Sequence, residues 1–395
     1  MAKSKIHALI LEDIYFSSDD VACMAWMHDA TYFIPEEHNG RKLFFYNFER
    51  DGKNHKLPIL PFDRGKQESV SVYEVMNALC PDILITVGDL NDFVYMQAVR
   101  MFYTQPFKWI CVLTGTSDPI NEKNKELLNN ADAILCLSEK SKNDVSKYFE
   151  KDTLYMSYVG YNQNYFKPDE KDLETIRITA FAKNSQNDNL ATIMEVAKDL
   201  HDDGFDFELY LHTNLHDQFG DYDLNVLKGR FDPHDKFIKL PERFVSLVDG
   251  YPSAELAEIL NNSDIFISIP MVSGSGMSIF EALRCGCWPV LSDCGISPEI
   301  TELLVNFSSN FQRNDFLIPC IKTMTRGECY LSMVCPDKLK ESLKNLLQNK
   351  KNIKGSRKAF SECVKRLDNS RFLADVRRII QEVQKSKEVL CLETL

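Results

Sequence analysis

The segment Ile267–Glu299, ISIPMVSGSGMSIFEALRCGCWPVLSDCGISPE, constrains the architecture more than any other part of the chain. The apolar run Ile265–Pro270 has the composition and length of a strand. It breaks at Ser273-Gly274-Ser275-Gly276, where two glycines permit backbone geometry that other residues resist. A helical pattern follows, with Ile279, Ala282 and Leu283 on one face, and stops near Gly286. Trp288–Ser292 then reads as a second strand. Strand, glycine turn, helix, strand is a βαβ unit. The start of its helix offers backbone N–H groups with no intrahelical acceptor and the positive end of the helix dipole, a combination that suits phosphate. The turn is not GxGxxG, so the glycines alone specify little more than the unit itself.

The same alternation runs along the whole chain. Strands are expected at Lys5–Leu11, Leu43–Phe48, Ile83–Val87, Trp109–Leu113 and Ala133–Leu137, with helices at Val70–Leu79 and Glu122–Asn129. It resumes with strand Ile176–Ala182, a helix to about Leu200, and strands Phe207–Leu211 and Phe237–Leu240. Helix Ser253–Asn261 then leads into the glycine segment. Strands separated by helix-length segments predict α/β architecture, with parallel sheets covered on both faces. At 395 residues, two such lobes fit, joined near residues 160–172 with a cleft between them.

Four stretches carry a family resemblance. The glycine segment resembles the donor-binding signature of retaining, GT-B-fold glycosyltransferases of family 4, matching at Gly274, Gly276, Glu281, Ala282, Cys285, Gly286, Pro289 and Val290. LLNNADAILCLSEKSKNDVSKYF, Leu127–Phe149, is similar to the last strand and helix of that family's amino-terminal lobe, with Ser138 placed to cap the helix. Val159–Pro168 resembles the interdomain linker, and Ile176–Asp199 the strand, loop and helix that open the second lobe. The resemblance implies a GT-B fold with Rossmann-like lobes over 1–160 and 161–370, and a terminal helix over 371–395 that crosses back to the first lobe.

It also implies roles. Glu281 would hold the ribose hydroxyls of a nucleoside-diphosphate sugar, and the turn Gly274, Ser275, Gly276, Met277 and Ser278 would hold its sugar and diphosphate. Lys183 stands at the first of two diphosphate-cation positions. Three positions depart from the family pattern: Ser273 replaces a Glu that contacts the transferred sugar, Asp188 replaces the second cation, and Thr114 falls near a His. Lys183, Ser273 and Thr114 are thus the candidate catalytic residues. The implied chemistry is hexosyl transfer to an unidentified polar acceptor, with the leaving diphosphate stabilised by dipoles and a cation, and with neither a metal nor a cofactor. The departures leave a second reading open, a degenerate GT-B protein that binds a nucleotide sugar or glycan without transfer, and a third, another Rossmann-type enzyme.

Composition is compatible with these readings. No run approaches the roughly 18 apolar residues a membrane span needs, and the start of the chain lacks a signal-peptide pattern. Twelve scattered cysteines read as reduced thiols, so a cytoplasmic location is expected. Between Pro336 and Glu388 there are fifteen Lys/Arg against seven Asp/Glu, in a chain of net charge −12. A basic face for nucleic acid or anionic lipid is one reading. Leu339, Leu343, Leu346 and Leu347 at helical spacing favour the other, solvated amphipathic helices. Asp221-Tyr222-Asp223 matches a metal-binding DxD, but it stands in a polar loop of a chain that otherwise reads as GT-B. His212 is placed at the carboxyl end of a strand, where ligands of α/β sheets bind, although a loop histidine is the default. Asp232–Asp235 reads as a turn.

Overall fold

The structure, a computed structural model, describes residues 8–12, 44–50, 53–59, 73, 76–77 and 81–392, save 117–118, 170–174, 214–219, 242–250, 252, 273 and 326–328. The chain forms two compact units, one of Met1–Ser157 with Ser370–Leu395, the other of Tyr158–Asn369.

The first unit is built on a parallel sheet of five strands in the order β1 (Ala8–Glu12), β4 (Ile83–Gly88), β5 (Lys108–Leu113), β6 (Ala133–Cys136) and β7 (Leu154–Met156). Strand β4 is buried throughout, as expected where helices cover both faces. Among the described residues before Ser157 its helices are α1 (Tyr95–Phe102), α2 (Glu122–Asn130) and α3 (Glu139–Val145). Asn121 caps α2, and Ser138 caps α3 by accepting from the Ser141 N–H at 3.1 Å. The predicted strand near Leu43–Phe48 exists as β2 (Phe44–Arg50), but it pairs antiparallel with β3 (Lys53–Ile59) in a sheet of its own. Asp51-Gly52 stands between them in sequence, a dipeptide that favours two-residue hairpins. The helix expected over Val70–Leu79 lies mostly outside the described residues.

The second unit carries six parallel strands in the order β10 (Ile238–Lys239), β9 (Phe207–His212), β8 (Ile176–Phe181), β11 (Ile265–Ser268), β12 (Trp288–Ser292) and β13 (Leu317–Ile318). The chain starts in the middle at β8, steps outward through β9 and β10, then returns to β11 on the other side of β8. The order therefore reverses between β8 and β11. Helices α4 (Leu190–Asp202), α5 (Leu224–Phe231), α6 (Ser253–Asn261), α7 (Met277–Arg284), α8 (Ser297–Phe307), α9 (Pro336–Gln348) and α10 (Lys350–Val364) surround the sheet. A hairpin, β14 (Cys320–Met324) with β15 (Tyr330–Val334), forms a separate antiparallel sheet.

The basic carboxyl-terminal stretch is helical. Leu339, Leu343, Leu346 and Leu347 are buried, as their spacing predicts, while Lys340 pairs with Asp203 of the α4 end at 3.1 Å. Arg357 on α10 donates to Asn261 O (3.1 Å), Ser263 O (2.7 Å) and Cys285 O (3.2 Å), so one cation satisfies carbonyls where α6 and α7 end. The last helix, α11 (Asn369–Leu392), buries Phe372, Val376, Ile379 and Ile380. It also takes hydrogen bonds from Tyr155 to Glu382 (2.6 Å) and from Ser157 to Asp375 (2.8 Å).

The Asp232 turn holds more than a change of direction. Its buried carboxylate accepts from the N–H groups of Lys236, Phe237 and Ile238 at 2.9, 2.9 and 2.8 Å. Burial raises the Asp232 carboxyl, but those three donors outweigh it and hold the group below the usual carboxylate range. The stabilisation is fully present above the unfolded value near 4 and is lost as pH falls through the folded one. Asp232→Ala should cost about 2–3 kcal/mol at neutral pH. In urea titrations the gap to the wild type should narrow below about pH 4. A gap independent of pH would assign the loss to packing.

Candidate functional site

In open parallel sheets, ligands bind outside the carboxyl ends of the strands where the order reverses. Here that point lies between β8 and β11, which pair as Ile178↔Ile265 and Thr179↔Phe266. The loop after β8 carries Lys183, and the loop after β11 carries the glycine turn, so both candidates stand at the same edge of one sheet.

The two loops are bound to each other. Met271 N–H donates to Asn187 O at 2.7 Å, and Asn189 Nδ2 donates to Ile269 O at 2.7 Å. Ser292 Oγ donates to Pro270 O at 3.0 Å, and Ser332 N–H to Met271 O at 3.0 Å. The residues leading into the glycine turn are thus anchored from three directions. Sequence reasoning missed Asn187 and Asn189. The available signal was an asparagine just before an apolar helix, since Asn189 starts α4 from left-handed backbone at φ 57°.

Gly276 is the N-cap of α7, with φ 73° and no side-chain cap. Its carbonyl accepts from both Ile279 N–H (3.0 Å) and Phe280 N–H (3.1 Å). The Met277 and Ser278 N–H groups fall in the first turn, where an α-helix has no acceptor for them. A Cβ on Gly276 would lie 2.7 Å from Ile296 Cγ2 and 3.2 Å from Ile300 Cδ1, whereas a Cβ on Gly274 would meet nothing within 4 Å. One glycine is demanded by packing and the other leaves open space. Ser275 and Glu281 are buried, Met277 and Ser278 half-buried, and Ser273 lies outside the described residues.

Lys183 is exposed. Asp188, the departure five residues on, ends a short 3-10 turn and accepts from Ser185 Oγ at 2.8 Å. Burial raises its carboxyl, opposed by the Ser185 hydroxyl and by the charge and N–H of Lys183. Both DxD carboxylates hold backbone. Asp221 accepts from Gln186 N–H at 2.7 Å, and Asp223 caps α5 through Asn225 and Val226. His212 ends β9, with its ring 4.9 Å from Phe181 and 4.8 Å from Tyr251. Thr114, in the first unit at the end of β5, is buried and donates to Asp89 at 3.0 Å. A depression of about 370 Å³ beside Asn164, Tyr165 and Glu258 contains none of the candidate residues.

Solved structures give the fold. Sucrose-phosphate synthase from Thermosynechococcus elongatus superposes with a TM-score of 0.59 at 12% identity, over 82% of this chain and 77% of that one. The chain has the GT-B fold. A glycosyltransferase from Rickettsia africae is similar at TM-score 0.57 and 14% identity, over 83% and 85% of the two chains. The pneumococcal O-GlcNAc transferase GtfA, solved with UDP and GlcNAc, is similar at 0.56 and 12%, over 86% and 70%. No protein-family model matches the sequence, and no curated protein matches it. Among the described residues, no helix is long and apolar enough to cross a membrane.

Proposed function

We propose that this protein is a retaining glycosyltransferase that moves a hexose-type sugar from a nucleoside-diphosphate sugar to a polar acceptor. The observation that carries this reading is that the loop bearing Lys183 and the loop leading to the uncapped start of α7 leave the carboxyl ends of β8 and β11, where the strand order of a GT-B sheet reverses, and are hydrogen-bonded to each other. The Met277 and Ser278 amides and the α7 dipole receive the diphosphate, and Lys183 adds a full positive charge. As the bond from the anomeric carbon to the diphosphate oxygen breaks, negative charge grows on the leaving group, where preorganised donors act most strongly. The acceptor hydroxyl adds to the carbon, and its proton passes to a leaving-phosphate oxygen. Glu281 holds the ribose hydroxyls, and Ser273 stands at the sequence position that meets the transferred sugar in the family this chain resembles. No residue of this scheme ligates a metal.

One observation favours a second reading, binding without transfer. The second cation expected in the β8 loop is absent, and the Asp188 carboxylate stands there beside Lys183. Acceptor-dependent turnover of a nucleotide sugar separates the two readings. The first experiment is a thermal-shift panel of nucleotide sugars, because a ligand at 100 times its Kd adds about 2.7 kcal/mol to stability. No shift with any of them rejects both readings.

Glu281 provides a sharper check. Glu281→Gln should weaken nucleoside-diphosphate binding by about 10- to 100-fold, the value of a charged hydrogen bond of about 1.5–3 kcal/mol. Affinity for inorganic pyrophosphate should hold, since that ligand has no ribose. Equal losses for both ligands in calorimetry would remove Glu281 from the ribose.

A further inference from the structure

We propose that Cys294 and Cys320 are a thiol pair that hydrogen peroxide converts to a disulfide, a modification site at the root of the glycine turn. Strands β12 and β13 pair in parallel as Leu291↔Leu317 and Ser292↔Ile318. Asp293 N–H then donates to Ile318 O at 3.0 Å, so the pairing runs on past the last register pair. Two residues beyond that pair on each segment stand Cys294 and Cys320. The Cys294 N–H bonds back to Ser292 O at 2.7 Å, so the chain turns at Asp293 and both cysteines stand just past the paired strand ends, the setting in which the roughly 4.4–6.8 Å Cα separation of a disulfide has to be met. Both residues carry half-buried thiols. The Cys320 thiol meets the Asp293 N–H and lies within electrostatic reach of Cys294.

Both segments hold the residues that lead into the glycine turn. Cys294 Sγ donates to Pro270 O at 3.3 Å and sits 3.2 Å from Ser292 Oγ, which bonds the same carbonyl. The hairpin that begins at Cys320 reaches Met271 through the Ser332 N–H at 3.0 Å. Oxidation removes the S–H that donates to Pro270 O and ties the two segments together covalently. The reaction balances. The Cys294 thiolate attacks one peroxide oxygen, forming a sulfenic acid and releasing hydroxide. The Cys320 thiolate then displaces hydroxide from that sulfur, and the net products from two thiols and one peroxide are a disulfide and two waters. Burial pushes the Cys320 thiol up to about 11, so the second step quickens at alkaline pH. None of this depends on whether the protein transfers sugar.

The test uses the full chain and a small molar excess of peroxide, followed by peptide mapping without reduction. The expected product is a cross-linked peptide containing Cys294 and Cys320, two hydrogens lighter and released by dithiothreitol. It is absent from Cys294→Ser and Cys320→Ser. Amide exchange over residues 271–280 should rise on oxidation in the wild type and return to its starting level after dithiothreitol. Separate sulfinic acids without a cross-link, or cross-links to other cysteines, overturn the pairing. A cross-link with unchanged exchange over the turn overturns its coupling to Pro270.

Discussion

Gly276→Ala destabilises the carboxyl-terminal unit by about 2–5 kcal/mol. Left-handed backbone costs an alanine about 1–2 kcal/mol, and forcing a methyl into a packed site adds about 1–3. The methyl would meet Ile296 Cγ2 at 2.7 Å, and Ile296 is itself buried, so there is no free space to relax into. Gly274→Ala provides the contrast. Nothing lies within 4 Å of its added carbon, so stability should stay within about 0.5 kcal/mol. If the open space at Gly274 is where the donor's diphosphate approaches, that variant should still lose nucleoside-diphosphate affinity. Chemical denaturation and calorimetry on both variants read the two effects separately. Equal stability losses would show that the glycines share one structural role, and undiminished binding in Gly274→Ala would move the ligand away from the turn.

The second large effect is on turnover. Lys183→Ala should lower kcat by roughly 100-fold while shifting KM only a few-fold, because the charge it meets grows in the transition state and is smaller in the bound substrate. Lys183→Arg should recover part of the rate, since the cation is kept. Steady-state kinetics with any donor that passes the thermal-shift panel decides this. A rise in KM with kcat unchanged would make Lys183 an anchor for the ground state. Asp188 bears on the size of the effect. Its carboxylate is engaged by Ser185 Oγ at 2.8 Å and acts electrostatically on Lys183, which offsets part of that cation's charge.

Much of the scaffold was legible beforehand, for local reasons. The alternation of apolar runs gave β4, β5, β6, β8, β9, β11 and β12 within a residue or two, because buried parallel strands are short and continuously apolar. Ser138 was legible as a cap, since a serine before an amphipathic run satisfies an N–H that the helix leaves open. The four α9 leucines repeated at helical spacing and are buried. The antiparallel pairing of Phe44–Arg50 is not legible in its apolar run, which has only strand composition; the signal for it is the neighbouring Asp51-Gly52 dipeptide.

The polar residues divide less evenly. Asp221 and Asp223 match a metal-binding spacing that the polar loop around them already argues against. Folded, each serves backbone N–H groups. Asp188 stood in sequence as a charge opposed to phosphate, and the structure turns its carboxylate onto Ser185. Such outcomes depend on which donors folding brings within about 3 Å, and no periodicity records that.

By itself, the sequence determined the type of each long element, the glycine turn at the start of α7 and the cluster of candidate residues around it. These follow from backbone preferences and apolar spacing, which act over a few residues. Tertiary structure decided the strand order, with its reversal between β8 and β11, and thereby brought the Lys183 loop and the glycine turn to one edge. It also decided that Gly276 is irreplaceable while Gly274 faces open space, because Ile296 and Ile300 arrive beside the first from a helix twenty residues further along the chain. Strand order and side-chain clearance are properties of packing between distant segments, so they come into being only when the chain closes on itself.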